Sequence, residues 1–352
     1  MKNLYFIRKY RVKNIGDSLA ILNQKTPFWK PMLLILPSFI LMMMFVLIPF
    51  LLVIINSVVT TEYGGIELTH ENFTNLLRTP RFTRAIYNSI LYSLLALPLS
   101  LSISIIISVA ITTVVKRWAR SFWQTVFFLP YVTSAVAVSM SFAFMFANAG
   151  GTGGLMKVSG LINIVLKKLK LVSEDVRFLY SGETMSWNPF IVLLIRGVWG
   201  NLAFQILILT TAMLSVDQQL YKSAAIDGAS KRRQFFTITL PSIKRTISFL
   251  ITIGLINGIK VFPLALYSNS ADDALSNGAS TLMLLVYYYT SNSIYGVAGA
   301  ASVILFVIGV TLSFSLRRLV TVIYKMSIKL GEKNVARKIE TSSLESKTYF
   351  KV

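Results

Sequence analysis

Between Lys30 and Glu62, between Arg84 and Lys116, and between Arg120 and Lys157, the chain runs for more than 30 residues without a formal charge. A helix needs about 20 mostly apolar residues to cross the hydrocarbon of a bilayer. Each gap is long enough, and the apolar stretches within them predict crossing helices over 32–56, 86–114 and 122–147. A fourth is expected over 190–214, interrupted by Arg196, a fifth over 247–266, containing Lys260, and a sixth over 297–316, ending at Arg317 and Arg318. With 14% charged residues and a mean hydropathy of +0.64 over 352 residues, the composition argues against a water-soluble enzyme. Pro49, Pro98, Pro130 and Pro263 lie in or near the ends of these runs and predict kinks, which a bundle tolerates because neighbours satisfy the freed carbonyls. The first apolar run, about 25 residues, exceeds the 7 to 15 of a secretory signal and lacks a small-residue cleavage site, so it is read as a retained helix.

Six crossings place both termini on one side, and the positions of Lys and Arg say which. Segments 1–31, 115–121, 215–246 and 317–352 carry 25 of the 35 basic residues, whereas 57–85, 148–189 and 267–296 carry 8. The basic face is the expected cytoplasmic one. The formal charge of +21 therefore has a topological explanation, and no nucleic-acid partner is expected. The expected organisation is a basic cytoplasmic segment at 1–31, a first membrane helix at 32–56, a membrane core at 84–316 and a basic cytoplasmic tail at 317–352. That tail is suited to anionic lipid headgroups or to anchoring orientation.

Several chemistries are excluded outright. The chain has no Cys and one histidine, His70, which removes thiolate sites, multi-histidine metal sites and cysteine nucleophiles. His70 lies in a polar outer loop and is read as solvated. None of the 14 acidic residues falls inside a predicted span, which argues against a carrier driven through membrane-embedded Asp or Glu. No G-x-x-x-x-G-K-[ST] phosphate loop is present, and the glycine-rich GGTGG at 150–154 lacks the lysine and reads as a turn.

The inner segment between spans four and five, DQQLYKSAAIDGASKRRQFFTITLPSI, is long for a connector. Leu220, Tyr221, Ala224 and Ala225 make an apolar stripe on one face of a short helix. Asp227-Gly228 is a turn signal, with glycine suited to the left-handed position after a helix end, and Ser230 is placed to cap a second short helix. Pro241 disfavours α geometry at Leu240 and predicts a boundary there.

These residues carry a resemblance. SAAIDGA followed by ITLP is similar to the loop of permease subunits of binding-protein-dependent ABC importers, patterned Glu-Ala-Ala, three residues, Gly, nine residues, Ile-x-Leu-Pro. Ala224, Gly228, Ile238, Leu240 and Pro241 match; Lys222 stands where glutamate is usual and Ser223 where the first alanine is usual. NFTNLLRTPRFTRAIYNSILYS at 72–93 and FFLPYVTSAV at 127–136 resemble segments of carbohydrate-type permeases.

The resemblance implies an all-α membrane protein of six transmembrane helices with a cytoplasmic coupling helix, the type I importer permease. It implies a solute of the sugar, polyol or glycerol-phosphate kind, passed inward by alternating access. Two ATPase subunits, a second homologous permease and an extracytoplasmic substrate-binding protein are the implied partners, with ATP and Mg at the ATPases and no cofactor on this chain. Lys222, Ser223, Ala224, Asp227, Gly228, Ile238, Leu240 and Pro241 are the implied ATPase-coupling residues. A partner with an acidic residue facing Lys222 is expected. A passive channel whose inner loop binds a regulatory partner is the alternative.

Arg196 and Lys260 sit at similar depth, each about 10 Å from the outer boundary at about 1.5 Å per residue. Either both snorkel to the outer headgroups, or they lie on the solute path with Asn201 and Asn257 beside them, where two cations favour an acidic or phosphorylated solute. Tyr287, Tyr288, Tyr289 and Tyr295, just before the sixth span, read as an interfacial belt or as sugar-stacking rings.

Overall fold

The computed structural model describes residues 29–60, 67–114, 116–149 and 159–316, together with 318 and 322. The basic segment 1–28, most of the tail after 317 and the GGTGG turn lie outside the described residues. The chain divides into two compact units at Ile55 and Asn56. The first contains the apolar helix α1, Trp29–Val58, which continues a few residues past the boundary.

In the second unit, the two-residue strands β1 (Val59–Thr60) and β2 (Glu67–Leu68) pair antiparallel. Helix α2 (Glu71–Arg78) leads into the 34-residue α3 (Pro80–Thr113). Then come α4 (Arg117–Val132), α5 (Ala135–Met145), α6 (Leu161–Lys168) and α7 (Asn188–Leu214). The inner loop forms α8 (Gln218–Ile226) and α9 (Lys231–Ser242), followed by α10 (Lys244–Ile259), α11 (Ala271–Ser276), α12 (Leu282–Ser291) and α13 (Tyr295–Leu316). α1, α3, α7 and α13 are long and apolar enough to cross a membrane unbroken. The pairs α4/α5 and α9/α10 bend by 91° and 65°, and counting each as one span gives six.

Two features depart from the expected spans. The third is not one helix: it breaks at Thr133 and Ser134, whose backbones are extended, three residues beyond Pro130. The fifth stops at Ile259, short of 266, because Pro263 disfavours α geometry at Phe262 and the Thr281 hydroxyl bonds the Val261 carbonyl at 2.9 Å. Pro98, by contrast, sits within the continuous α3.

The segment 267–296, expected on the outer side between spans five and six, is packed. Tyr267, Leu275, Leu282, Leu284 and Leu285 are fully buried in the larger core, and the Tyr267 hydroxyl donates to the Leu179 carbonyl at 3.0 Å. Polar side chains of α3 bind this segment: the Asn88 amide donates to the carbonyls of Gly278 and Ser280, and the Ser89 hydroxyl accepts from the Leu282 N–H. A buried amide left without such partners costs about 1–3 kcal/mol, which favours this register of packing.

Deeper along α3 the sequence repeats serine every fourth residue, which puts Ser100, Ser104 and Ser108 on one face. All three are buried against α7, where the Gln205 amide donates to Ser100 Oγ and accepts from Ser104 Oγ. Small hydroxyl residues let two membrane helices approach closely while satisfying a buried amide between them. A second core lies at the other end of these helices, built from Leu209, Met213, Val216, Ile243 and Leu250.

Candidate functional site

The inner loop is organised from its caps outward. Asp217 starts α8 by accepting the Gln219 N–H at 2.9 Å, and Ser230 starts α9 by accepting the Arg233 N–H at 3.4 Å. Between them Gly228 adopts φ +72°, a left-handed conformation that disfavours any side chain, although a Cβ there would meet no atom within 4 Å.

Two expectations for this loop need correction. The apolar stripe is divided: Tyr221 and Ala224 are half-buried, whereas Leu220 and Ala225 are exposed. Leu240 is helical, with φ −59° and ψ −44°, so the boundary falls later, at Ile243. A π-turn over Phe235–Thr239 precedes Pro241 and loosens the ladder where proline would otherwise clash with an earlier carbonyl. The same pairing occurs in α1, where the π-turn Met43–Leu47 precedes Pro49.

The inward face of the loop grips the ends of the long helices. Tyr221, Phe235 and Ile238 pack on the core of Leu209, Met213 and Leu250, and the Tyr221 hydroxyl bonds Thr239 Oγ1 at 2.7 Å. The outward face presents Ile226, 87% exposed, and Phe236, 63% exposed, beside exposed Lys222, Ser223, Asp227, Lys231, Arg232 and Arg233. Exposed apolar side chains of this size within a cationic surround are suited to being covered by another protein.

A second site lies where α4/α5, α7 and the end of α10 meet. Arg196, Asn201, Asn257 and Lys260 all line one open cavity of about 670 Å³. Its wall includes Tyr131, Trp199 and Phe262, and the first turn of α5 contributes Ala135, Val136, Val138 and Ser139. No Asp or Glu among the described residues lines it. Arg196 donates to the Ala135 carbonyl at 3.3 Å, and that carbonyl also accepts from Ser139 Oγ at 2.7 Å. The α5 amino end carries no side-chain cap, so its orphan N–H groups add positive potential to the same space.

Gly197 shapes this wall. A Cβ there would stand 1.7 Å from the Tyr92 hydroxyl, so only glycine lets α3 and α7 close at the cavity. Tyr287, Tyr288, Tyr289 and Tyr295 are not among the lining residues; Tyr288 and Tyr289 pack against the core instead, and Tyr287 meets Phe262 edge-on at 5.4 Å.

Three features were not anticipated from sequence. The α5 amino end follows Thr133-Ser134, an N-cap signature that a continuous-span reading passes over. Arg84, used above only as a span boundary, is 6% exposed; it donates to the Ser186 carbonyl and stacks 4.6 Å over Trp187. In the segment after α5, Asp175 accepts from the Ala149 N–H at 2.8 Å and Ser159 Oγ at 2.6 Å and pairs with Lys167 at 2.6 Å. The Lys167 bond above all, then those from Ser159 and Ala149, hold its carboxyl down at about 2.

Residues 96–325 match the family described as binding-protein-dependent transport system inner membrane component, about two thirds of the chain. The chain belongs to this family. It is therefore an inner-membrane permease component of a transport system, not a catalytic subunit. It is 39% identical over 303 residues to the "Probable ABC transporter permease protein MG188" of Mycoplasma genitalium, spanning 85% of this chain and 88% of that protein. It is 26% identical over 231 residues to the "sn-glycerol-3-phosphate transport system permease protein UgpA" of Pectobacterium atrosepticum, spanning 65% of this chain and 72% of that one. Among solved structures, a chain of a bacterial alginate ABC transporter, in complex with an alginate pentasaccharide-bound periplasmic protein, superposes with a TM-score of 0.67 at 23% identity. That match covers 81% of this chain and 92% of the other, and shows a shared fold.

Proposed function

We propose that this permease passes a sugar, polyol or glycerol-phosphate-like solute inward through the cavity lined by Arg196, Asn201, Asn257 and Lys260. The observation that carries the reading is the convergence of these four polar side chains, from α7 and the end of α10, on one cavity. An ionisable group at membrane depth is costly unless it faces water, a partner or a substrate, and this cavity supplies such a surface. Energy enters from below. Two separate ATPase subunits bind ATP and Mg and grip the outward face of α8 and α9, and the inward face transmits their motion to α3, α7 and α10. A second, homologous permease completes the membrane unit, an extracytoplasmic binding protein delivers the solute, and both termini lie in the cytoplasm.

The test is uptake into vesicles holding the complete assembly. Accumulation against a gradient that requires ATP and stops when the ATPases are omitted is the expected result. Downhill flux that persists without ATP or ATPases would identify a passive facilitator instead.

A further inference from the structure

We infer that the cavity selects an anionic solute, holding a phosphate or carboxylate group between Arg196, Lys260 and the amino end of α5 while the neutral amides bind hydroxyl groups. This rests on the importer reading above and narrows it. Three sources of positive potential converge here without compensation: a guanidinium, an ammonium and an uncapped helix end. No carboxylate lines the cavity, and neither cation is ion-paired among the described residues. Arg196 is held by one long bond, to the Ala135 carbonyl at 3.3 Å, which leaves most of its five donors for a ligand while aiming the guanidinium at the first turn of α5.

The 91° break gives this arrangement its point. A continuous third span would have buried these backbone N–H groups in its own ladder; the break at Thr133 and Ser134 turns a helix start toward the cavity instead. An oxyanion at such an end accepts backbone hydrogen bonds and interacts favourably with the helix dipole, and an arginine fork adds paired bonds to phosphate or carboxylate. A neutral sugar uses none of these. Asn201, Asn257 and Asn269 supply the amide donors and acceptors that polyol hydroxyls need, and Tyr131, Trp199 and Phe262 supply apolar rings for the carbon face. The chemistry shared by the candidate solutes is therefore one oxyanion attached to a hydroxylated carbon skeleton.

The absence of native cysteine makes the potential directly measurable. Val136→Cys places a thiol on the cavity wall, and Thr184→Cys places a control on an exposed outer turn. In the assembled transporter, a sulfonate-bearing methanethiosulfonate is expected to react at least tenfold faster than a trimethylammonium one at position 136, relative to the same ratio at 184. Arg196→Gln and Lys260→Gln should each reduce that preference, with Arg196→Lys retaining part of it. Glycerol 3-phosphate and galacturonate, as probes, should protect position 136, whereas glycerol and galactose should not; which anion protects better separates phosphate from carboxylate recognition. Equal rates for the two reagents, or equal protection by neutral and anionic probes, would overturn the inference. ATP-driven uptake measured on the same vesicles keeps the two readings apart: uptake of neutral sugars without charge preference removes this inference alone, and ATP-independent flux removes both.

Discussion

At the scale of single residues, the strongest local determinants are groups whose neighbours leave them one arrangement. Asp175 is such a group. Its carboxyl gathers an ammonium, a hydroxyl and a backbone N–H, and so ties the chain at 149 and 159 to the turn after α6. All three contacts favour the ionised form, and the carboxyl is held at about 2 rather than at its ordinary value near 4. A depressed carboxylate stabilises the fold in full above its unfolded pKa and loses that contribution as pH falls through its folded one. Asp175→Asn is therefore expected to melt below the parent protein at pH 7, with the difference shrinking between about pH 4 and about pH 2. Thermal unfolding in detergent across that range checks this, and a pH-independent difference would remove the carboxylate from the account. Neither this cluster nor the Arg84 stack was legible in the sequence, because no helix or strand periodicity pairs these residues: Asp175 reaches back across a loop to Ser159 and Ala149, 16 and 26 positions earlier, and Arg84 meets a carbonyl 102 positions away.

At the scale of elements, legibility followed the physics of each signal. Long apolar runs located α1, α3, α7 and α13, the third despite Arg196, because hydrocarbon thickness sets a length that sequence displays directly. The break between α4 and α5 was hidden because the whole run is apolar and its hydropathy carries no mark at Thr133 and Ser134. The packed segment 267–296 was hidden for the opposite reason: its helices are short, and their burial comes from α3 polar groups nearly 200 residues earlier. The loop turn was legible because glycine and a serine cap act within four residues of themselves. Gly228 provides the corresponding test. Its left-handed backbone costs a non-glycine residue about 1–2 kcal/mol, more for a β-branched one, while no atom crowds the position. Gly228→Val should therefore leave the protein inserted and reorient α9 relative to α8, lowering uptake per ATP in reconstituted vesicles. Gly228→Asn, which tolerates the same φ, should retain most of it. Equal coupling in the two variants would show that this turn does not set the docking geometry.

At the scale of the whole molecule, two cores divide the second unit's work. The larger one surrounds Tyr267, Leu275 and Leu282 and joins α3 and α7 to the segment after α10. The smaller one, around Leu209, Met213 and Leu250, joins the helix ends to the loop, and Phe204, packed against it, stacks at 5.9 Å on the cavity-lining Tyr131. Under the proposed importer reading, force applied to α8 and α9 passes through this packing, with Phe204 and Tyr131 as one route to the cavity. Packed side chains transmit displacement because interiors are dense and have little free volume to absorb it. Phe235→Ala and Ile238→Ala each remove apolar contacts between loop and helices without touching the exposed face proposed above to meet the ATPases. Each truncation is expected to cost about 2–4 kcal/mol of local packing. The outward face would still bind and stimulate nucleotide hydrolysis, while the helices would follow the loop less closely. Solute moved per ATP hydrolysed should fall severalfold in both variants, with ATPase binding measured by pull-down unchanged. Replacing exposed Ile226 with Ala should do the reverse, weakening association while leaving the ratio intact for assemblies that form. If the inward and outward substitutions gave the same phenotype, the loop would be a tether and the displacement would reach the helices by another route.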